Sequence, residues 1–201
     1  MLSPSVLGWY ATLFVHPTGG APPDLCGGVI VGPNTVLTAG HCVANAESIT
    51  VYPGSEGNGW WPQPGAYLSE SLIASPLYDE AQINAAQNDV GVFTVTRPFK
   101  NSAMATIDMT GSGWASLADE APLYSAGHGL TCNGGMECVS GALVLVRIPK
   151  VSTPRCQGDG SDQWPTEIVG ESYCAGFENV QAAPQPCQVG GVPSFSPAAK
   201  A

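Results

Sequence analysis

Short apolar runs separated by turn residues constrain the fold of this chain more than any other feature. They are WYATLFVH (9–16), GGVIVG (27–32), TVLTAG (35–40), SITVYP (48–53), DVGVFTV (89–95), PLYSAGHG (122–129) and GALVLVRI (141–148). The segments at 31–35, 53–59 and 110–114 carry the Gly, Pro and Asn residues that chain reversals need. β-branched residues are common in these runs, and in no run do the apolar residues recur with the 3.6-residue period of a helix. The pattern predicts an all-β antiparallel barrel or sandwich, with one helical turn at 151–158.

Composition limits the function classes. A chain of 201 residues has the size of a single all-β domain, and its 44% hydrophobic content argues against disorder. The net charge of −10 and the scattered Lys and Arg residues predict no nucleic-acid partner. No apolar run has the length of a membrane span, and the N-terminal residues lack the basic region of a signal peptide. We therefore predict no membrane partner and no signal peptide within this sequence.

Cysteine usage points to an oxidising compartment. Seven cysteines in a chain of this length are typical of a disulfide-bonded extracellular protein. Zinc binding is the alternative, but no Cys-x-x-Cys pair occurs and the histidines (His16, His41 and His128) are far apart in sequence. The sequence predicts no metal site and no cofactor.

The segment CGGVIVGPNTVLTAGHCV (26–43) suggests a site. Two strands joined by a tight GPN turn bring their ends together, so Cys26 and Cys42 could form a disulfide beside His41. A histidine held rigidly at a strand end is well placed to act as a base. A structural histidine with its hydrogen bonds satisfied is the alternative for His41 taken by itself.

This segment resembles the active-site histidine motif of the chymotrypsin-like (trypsin-like, S1) serine proteases, with Gly40 where the family has a second alanine. Further segments resemble the family in its own order: WYATLFV (9–15), NDVGVFTV (88–95), SAGHG (125–129) and YCAGF (173–177). The resemblance implies a double antiparallel β-barrel and serine-type endopeptidase activity. It also implies protein or peptide substrates and protein inhibitors as partners.

The resemblance assigns roles to individual residues. His41 would be the general base, and Asp89 would be the carboxylate that orients its ring. A solvated turn carboxylate is the alternative for Asp89. His128 stands where the family has a tryptophan, and we expect it to be structural.

The resemblance also implies disulfides. Cys26 with Cys42 and Cys156 with Cys174 are family pairs, and Cys132 is close enough in sequence to Cys138 to close a local loop. Cys187 is then left over, and in the family its partner lies beyond the last residue of this sequence.

The family's nucleophile motif, Cys-Gln-Gly-Asp-Ser-Gly-Gly-Pro, is not found after Cys187. Ungapped counting places Gly191 at the serine position, and a gapped alignment places Val189 there. Neither side chain carries a hydroxyl. Ser194 follows a proline in an unrelated context, and Cys187 corresponds to a structural cysteine, so neither is expected to replace the serine. The sequence as written is therefore predicted to be inactive.

Two interpretations follow for the chain as a whole. In the first, residues 1–188 are an incomplete domain of a secreted serine endopeptidase, with a truncated second barrel. The non-family tail at 189–201 would then be read-through or misjoined sequence. If Gln188 is encoded by CAG, the valine codon that follows creates CAG/GT, the usual start of an intron in a eukaryotic gene. In the second, the chain is a catalytically dead homologue that binds proteins as a decoy. Disulfides are the basis for expecting an extracellular location in either case.

Overall fold

The computed structural model describes five parts of the chain, which are residues 7–54, 65–79, 88–128, 143–152 and 174–175. Nine strands and two short helices lie in these parts. The strands are β1 (Tyr10–Pro17), β2 (Asp24–Gly32), β3 (Thr35–Thr38), β4 (Ala46–Pro53), β5 (Tyr67–Ala74), β6 (Gly91–Val95), β7 (Pro122–Gly127), β8 (Val144–Val151) and β9 (Cys174–Ala175). The helices are α1 (His41–Ala44) and α2 (Ser112–Ser116).

The first six strands close into an antiparallel barrel. Its strand order is β1-β2-β3-β6-β5-β4, and β4 pairs back with β1. Alternate side chains point inwards, because successive residues of a strand face opposite sides of a sheet. Phe93, Leu13 and Ile30 are fully buried inside and form the centre of the core. Closure leaves the barrel without open strand edges.

The hairpin expected between 27–32 and 35–40 is present as β2 and β3. Val29 pairs with Leu37 and Ile30 with Val36, and a two-residue turn at Pro33 connects the strands. The register shifts between Ile30 and Gly32, so the strand bulges just before the turn. The all-β prediction is confirmed, with strands in each of the predicted apolar runs.

Three local predictions were wrong or incomplete. β5 was not predicted, because its sequence YLSESLIA mixes polar and apolar residues and contains no apolar run. In the barrel this strand lies between β4 and β6. Residues 110–114 were read as a turn, but α2 begins at Ser112. Val151 belongs to β8 rather than to a helical turn, and residues 153–158 of that predicted turn lie outside the described residues.

A second, three-stranded antiparallel sheet has the order β7-β8-β9. Lys150, in β8, is buried and its Nζ donates hydrogen bonds to the carbonyl oxygens of Trp114 (3.0 Å) and Leu117 (2.5 Å). Leu117 follows the last residue of α2, and Trp114 O also accepts from the amide of Leu117 at 3.1 Å, so the lysine supplies an additional donor at the C-terminus of the helix. No helix among the described residues has the length and apolarity needed to cross a bilayer.

His128 connects this sheet to the barrel. Its Nε2 lies 3.2 Å from Thr12 Oγ1, and its ring is 6.1 Å from the ring of Tyr10. Burial raises the pKa of Tyr10 to about 12, so its hydroxyl stays protonated at alkaline pH where an exposed tyrosine ionises. These contacts agree with the structural role expected for His128.

Candidate active site

His41 begins α1, directly after β3. The sequence suggested a histidine at a strand end, but the chain leaves β3 after Thr38 and turns into a helix that starts at His41. The amides of Val43 and Ala44 donate to Gly40 O at 3.0 and 2.9 Å, which holds this turn together. The side chain of His41 is 22% exposed, so the ring is largely covered but still reaches solvent.

Asp89 lies just before β6 and is almost fully buried, with 2% of its side chain exposed. Asn88 precedes it with φ of 56°, a left-handed conformation that asparagine tolerates better than most residues. The amide of Val90 donates to Asn88 O at 2.7 Å and tightens the bend. The carboxylate is thereby turned inwards, towards α1.

The two residues are joined by a pair of hydrogen bonds. The backbone amide of His41 donates to Asp89 Oδ1 at 2.8 Å, and its ring Nδ1 lies 2.8 Å from Asp89 Oδ2. A buried carboxylate in its ionised form only accepts hydrogen bonds, so Nδ1 carries the proton. In the neutral ring Nε2 then carries no proton, and it lies 3.3 Å from Cys42 Sγ. Asp89 therefore sets both the orientation and the tautomer of His41.

Gly91 allows the two elements to approach. A Cβ atom at this position would lie 2.6 Å from Val43 Cγ2 and 2.7 Å from the carbonyl oxygen of Ala39. Both distances are too short for non-bonded atoms, and the backbone carbonyl cannot rotate away. A larger residue would push β6, and Asp89 with it, away from α1.

A disulfide holds the other side of α1. Cys26 of β2 is bonded to Cys42, and both cysteines are buried. This confirms the expected pair. The bond anchors the histidine's helix to the barrel wall, since Cys42 directly follows His41 in the chain.

Several predicted site residues lie outside the described residues. They are Gly191, Val189, Ser194 and Cys187 at the nucleophile register, and the sulfur atoms of the expected pairs Cys132–Cys138 and Cys156–Cys174. Among the residues that are described, His41, Asp89, Cys26 and Cys42 meet at one place, between α1 and the barrel.

Gly40 and Tyr78 lie next to the His41–Asp89 pair, and the sequence did not indicate that they contribute to the site. A Cβ on Gly40 would lie 3.1 Å from Tyr78 Cγ and 3.1 Å from Asp89 Oδ1. Tyr78 thus occupies the space that the family's usual alanine would need. The substitution at Gly40 was visible in the sequence, but Tyr78 is distant in the chain and carries no motif.

Gly40→Ala tests this contact. Gly40 has helical angles (φ −62°, ψ −42°), so alanine would otherwise stabilise the fold by about 0.4–1 kcal/mol. We expect Gly40→Ala instead to destabilise the chain by about 1 kcal/mol. The penalty should shrink by at least about 1 kcal/mol in a Tyr78→Ala background, as measured by urea unfolding in a double-mutant cycle. An equal penalty in both backgrounds would assign it to Asp89 instead.

Comparison with known proteins places this geometry in a family. The trypsin family model matches residues 7–191. Chymotrypsin-like elastase family member 1 of Homo sapiens is 24% identical over 169 residues, which cover 84% of this chain and 64% of that protein. Proproteinase E of Bos taurus is 26% identical over 195 residues, which cover 88% of this chain and 74% of that protein. The chain thus spans less than two thirds of the length of several curated relatives, including the human one.

A solved structure supports the fold independently. HL collagenase superposes with a TM-score of 0.66 at 20% sequence identity, covering 87% of this chain and 70% of the collagenase chain. The family model spans nearly the whole chain, and the described part of the chain includes a closed six-stranded barrel. This chain therefore belongs to the trypsin family of chymotrypsin-like serine proteases.

Proposed function

We propose that this chain represents a serine-type endopeptidase in which His41 is the general base and Asp89 is its orienting carboxylate. The observation that carries the proposal is the pair of 2.8 Å hydrogen bonds from His41 to one buried carboxylate. A single bond to the ring would leave it free to swing. The second bond, from the backbone amide to Oδ1, fixes the carboxylate relative to the backbone of His41.

The chemistry follows from the tautomer. With Nδ1–H donated to Asp89, His41 Nε2 accepts the proton of a serine hydroxyl as its oxygen attacks the scissile carbonyl carbon. The imidazolium is stabilised by the adjacent carboxylate. It then gives the proton to the leaving amine as the C–N bond breaks, which leaves an acyl group on the serine. A water molecule attacks this ester with the same help from His41, and the carboxylic acid and the free serine are released.

The nucleophile is the part that this sequence does not supply. The family's Gly-Asp-Ser-Gly-Gly-Pro is absent after Cys187, and Gly191 and Val189 have no hydroxyl. Under our proposal the chain as written hydrolyses no peptide bond. It would keep the proposed base and its orienting carboxylate but lack the hydroxyl that they would activate.

A chimaera tests the proposal. Residues 189–201 are replaced by a family C-terminal segment that begins Gly-Asp-Ser-Gly-Gly-Pro, and hydrolysis of peptide amides and labelling by a fluorophosphonate are measured. We expect both in the chimaera and neither in the original chain. His41→Ala, or alanine at the added serine, should abolish both while circular dichroism stays the same. A folded chimaera that neither reacts nor hydrolyses would overturn the assignment of His41.

A protein-binding role is the second candidate, and the missing serine motif is the observation that favours it. A dead homologue would keep a surface for a protein inhibitor or a peptide without cutting it. Isothermal calorimetry of the original chain with protein inhibitors of serine proteases separates the two. Tight binding together with an unreactive chimaera would favour the decoy function.

The proposed setting is outside the cytosol, with protein or peptide substrates or protein inhibitors as partners. The support is the Cys26–Cys42 disulfide, because such bonds persist in oxidising compartments. The net charge of −10 makes nucleic acid an unfavourable partner. No membrane partner is proposed.

A further inference from the structure

A turn that follows β5 places Tyr78 beside Asp89. The amide of Ser75 donates to Val90 O at 2.8 Å, and the amide of Tyr78 donates to Ser75 O at 3.0 Å. The turn is thereby attached to the residue that directly follows Asp89 in the chain. The backbone of the turn therefore sets the position of Tyr78 next to the carboxylate.

This turn lies at the protein surface, and Tyr78 is its inward side chain. Leu77 is 70% exposed and Asp79 is also exposed, whereas Tyr78 between them is partly buried. Val90, the residue after Asp89, is 38% exposed, although Asp89 itself is only 2% exposed. Solvent is therefore close to this carboxylate and is kept from it by the groups packed around it.

The ring of Tyr78 and the carboxylate of Asp89 border the same space above Gly40. A Cβ atom on Gly40 would lie 3.1 Å from Tyr78 Cγ, 3.2 Å from Tyr78 Cδ2 and 3.1 Å from Asp89 Oδ1. The family's usual alanine would place a methyl group there, against Oδ1. In this chain the methyl group is absent, and the aromatic ring lies against that space instead.

We propose that Tyr78 is a positioning residue whose ring excludes water from the Asp89 carboxylate and so strengthens its hold on His41. Water at this carboxylate would compete with the amide and the Nδ1–H of His41 as a donor. It would also screen the negative charge, and a hydrogen bond to a charged group is stronger where water does not enter. The catalytic part of this inference rests on the proposed function, because the ring acts on the base only through Asp89.

The Nδ1–H proton of His41 reports this cover directly. Its exchange with water is measured by proton NMR in the original full chain, which carries isotope-labelled histidine. We expect exchange to be about 10-fold faster in Tyr78→Ala, because water then reaches the carboxylate and the proton is released more often. Tyr78→Phe should keep the native rate, since it retains the ring.

Two further variants separate cover of the carboxylate from simple support of the turn. Tyr124→Ala is the matched control, because Tyr124 is a half-exposed tyrosine in β7 of the second sheet, and the native exchange rate is expected there. Adding Gly40→Ala to Tyr78→Ala should restore part of the protection, since the new methyl group lies next to Oδ1. A methyl group on residue 40 could not replace a tyrosine that only supported the turn.

The reactive chimaera gives a second readout. Tyr78→Ala should lower its kcat by about 10-fold, because the carboxylate holds the ring of His41 less firmly. KM should stay within about twofold of its original value, since under this proposal Tyr78 acts on Asp89 and not on the substrate.

Several results would overturn the proposal. Native exchange in Tyr78→Ala would do so, and fast exchange in Tyr78→Phe would assign the effect to the hydroxyl group rather than to the ring. A raised KM with an unchanged kcat would make Tyr78 a substrate contact instead. Should Tyr78→Ala fail to fold, Tyr78→Val replaces it and is judged by the same exchange rates. An unreactive chimaera would count against the proposed function alone, because exchange is measured in the original chain.

Discussion

Asp89→Asn should lower kcat of the reactive chimaera by about 10⁴-fold, the size of loss associated with the wrong histidine tautomer in a Ser-His-Asp triad. The carboxylate accepts hydrogen bonds from both the amide and the ring of His41. An asparagine amide in its place can keep one acceptor but presents an NH₂ donor to Nδ1. The ring then carries its proton on Nε2, where it cannot accept one from serine.

Two measurements separate this mechanism from simple misfolding. Long-range nitrogen–proton NMR of His41 in the original chain reports the tautomer directly, and it should change from Nδ1–H to Nε2–H in Asp89→Asn. Asp24→Asn is the matched control, since Asp24 is an exposed carboxylate in β2 of the same barrel. It should leave both kcat and the tautomer unchanged. A normal rate in Asp89→Asn would remove Asp89 from the proposed triad.

Gly91→Ala should destabilise the barrel by about 3 kcal/mol, at the upper end of the usual cost of overpacking. The added methyl would lie 2.6 Å from Val43 Cγ2 and 2.7 Å from Ala39 O. Relief requires β6 to move away from β3, with which it pairs at Thr38. Because Asp89 is two residues away, the hydrogen bonds to His41 should loosen as well.

Gly127→Ala provides the matched control, since it makes the same chemical change in a strand. A Cβ at Gly127 meets nothing within 4 Å, and the position is in β7 of the second sheet. Alanine there should be neutral or stabilising by up to about 1 kcal/mol. Urea unfolding of both variants gives the comparison. Similar stabilities for the two would show that the contact at Gly91 relaxes without cost.

Some elements were predictable because their signals are local. The β2–β3 hairpin follows from two apolar runs around a proline turn, and the disulfide lies at the hairpin's base. β5 was missed because its polar residues form contacts that only the barrel supplies: Ser71 Oγ bonds Thr94 Oγ1 at 2.8 Å, and Ser69 Oγ accepts from the amide of Ile49. α2 was not predicted because Gly111 and Gly113 are typical of a turn. The hydrogen bonds from Lys150 to the carbonyl oxygens of Trp114 and Leu117 come from a strand that is distant in sequence.

The all-β class, the family and the identity of the candidate pair could be predicted from the amino-acid sequence, since strand patterns and motifs are properties of neighbouring residues. The folded chain was needed to show that His41 and Asp89 share two hydrogen bonds, that Gly91 leaves room for them and that a disulfide sulfur lies beside Nε2. Barrel closure is the physical reason. It brings β6 against β3 and so sets distances between side chains that are far apart in the chain.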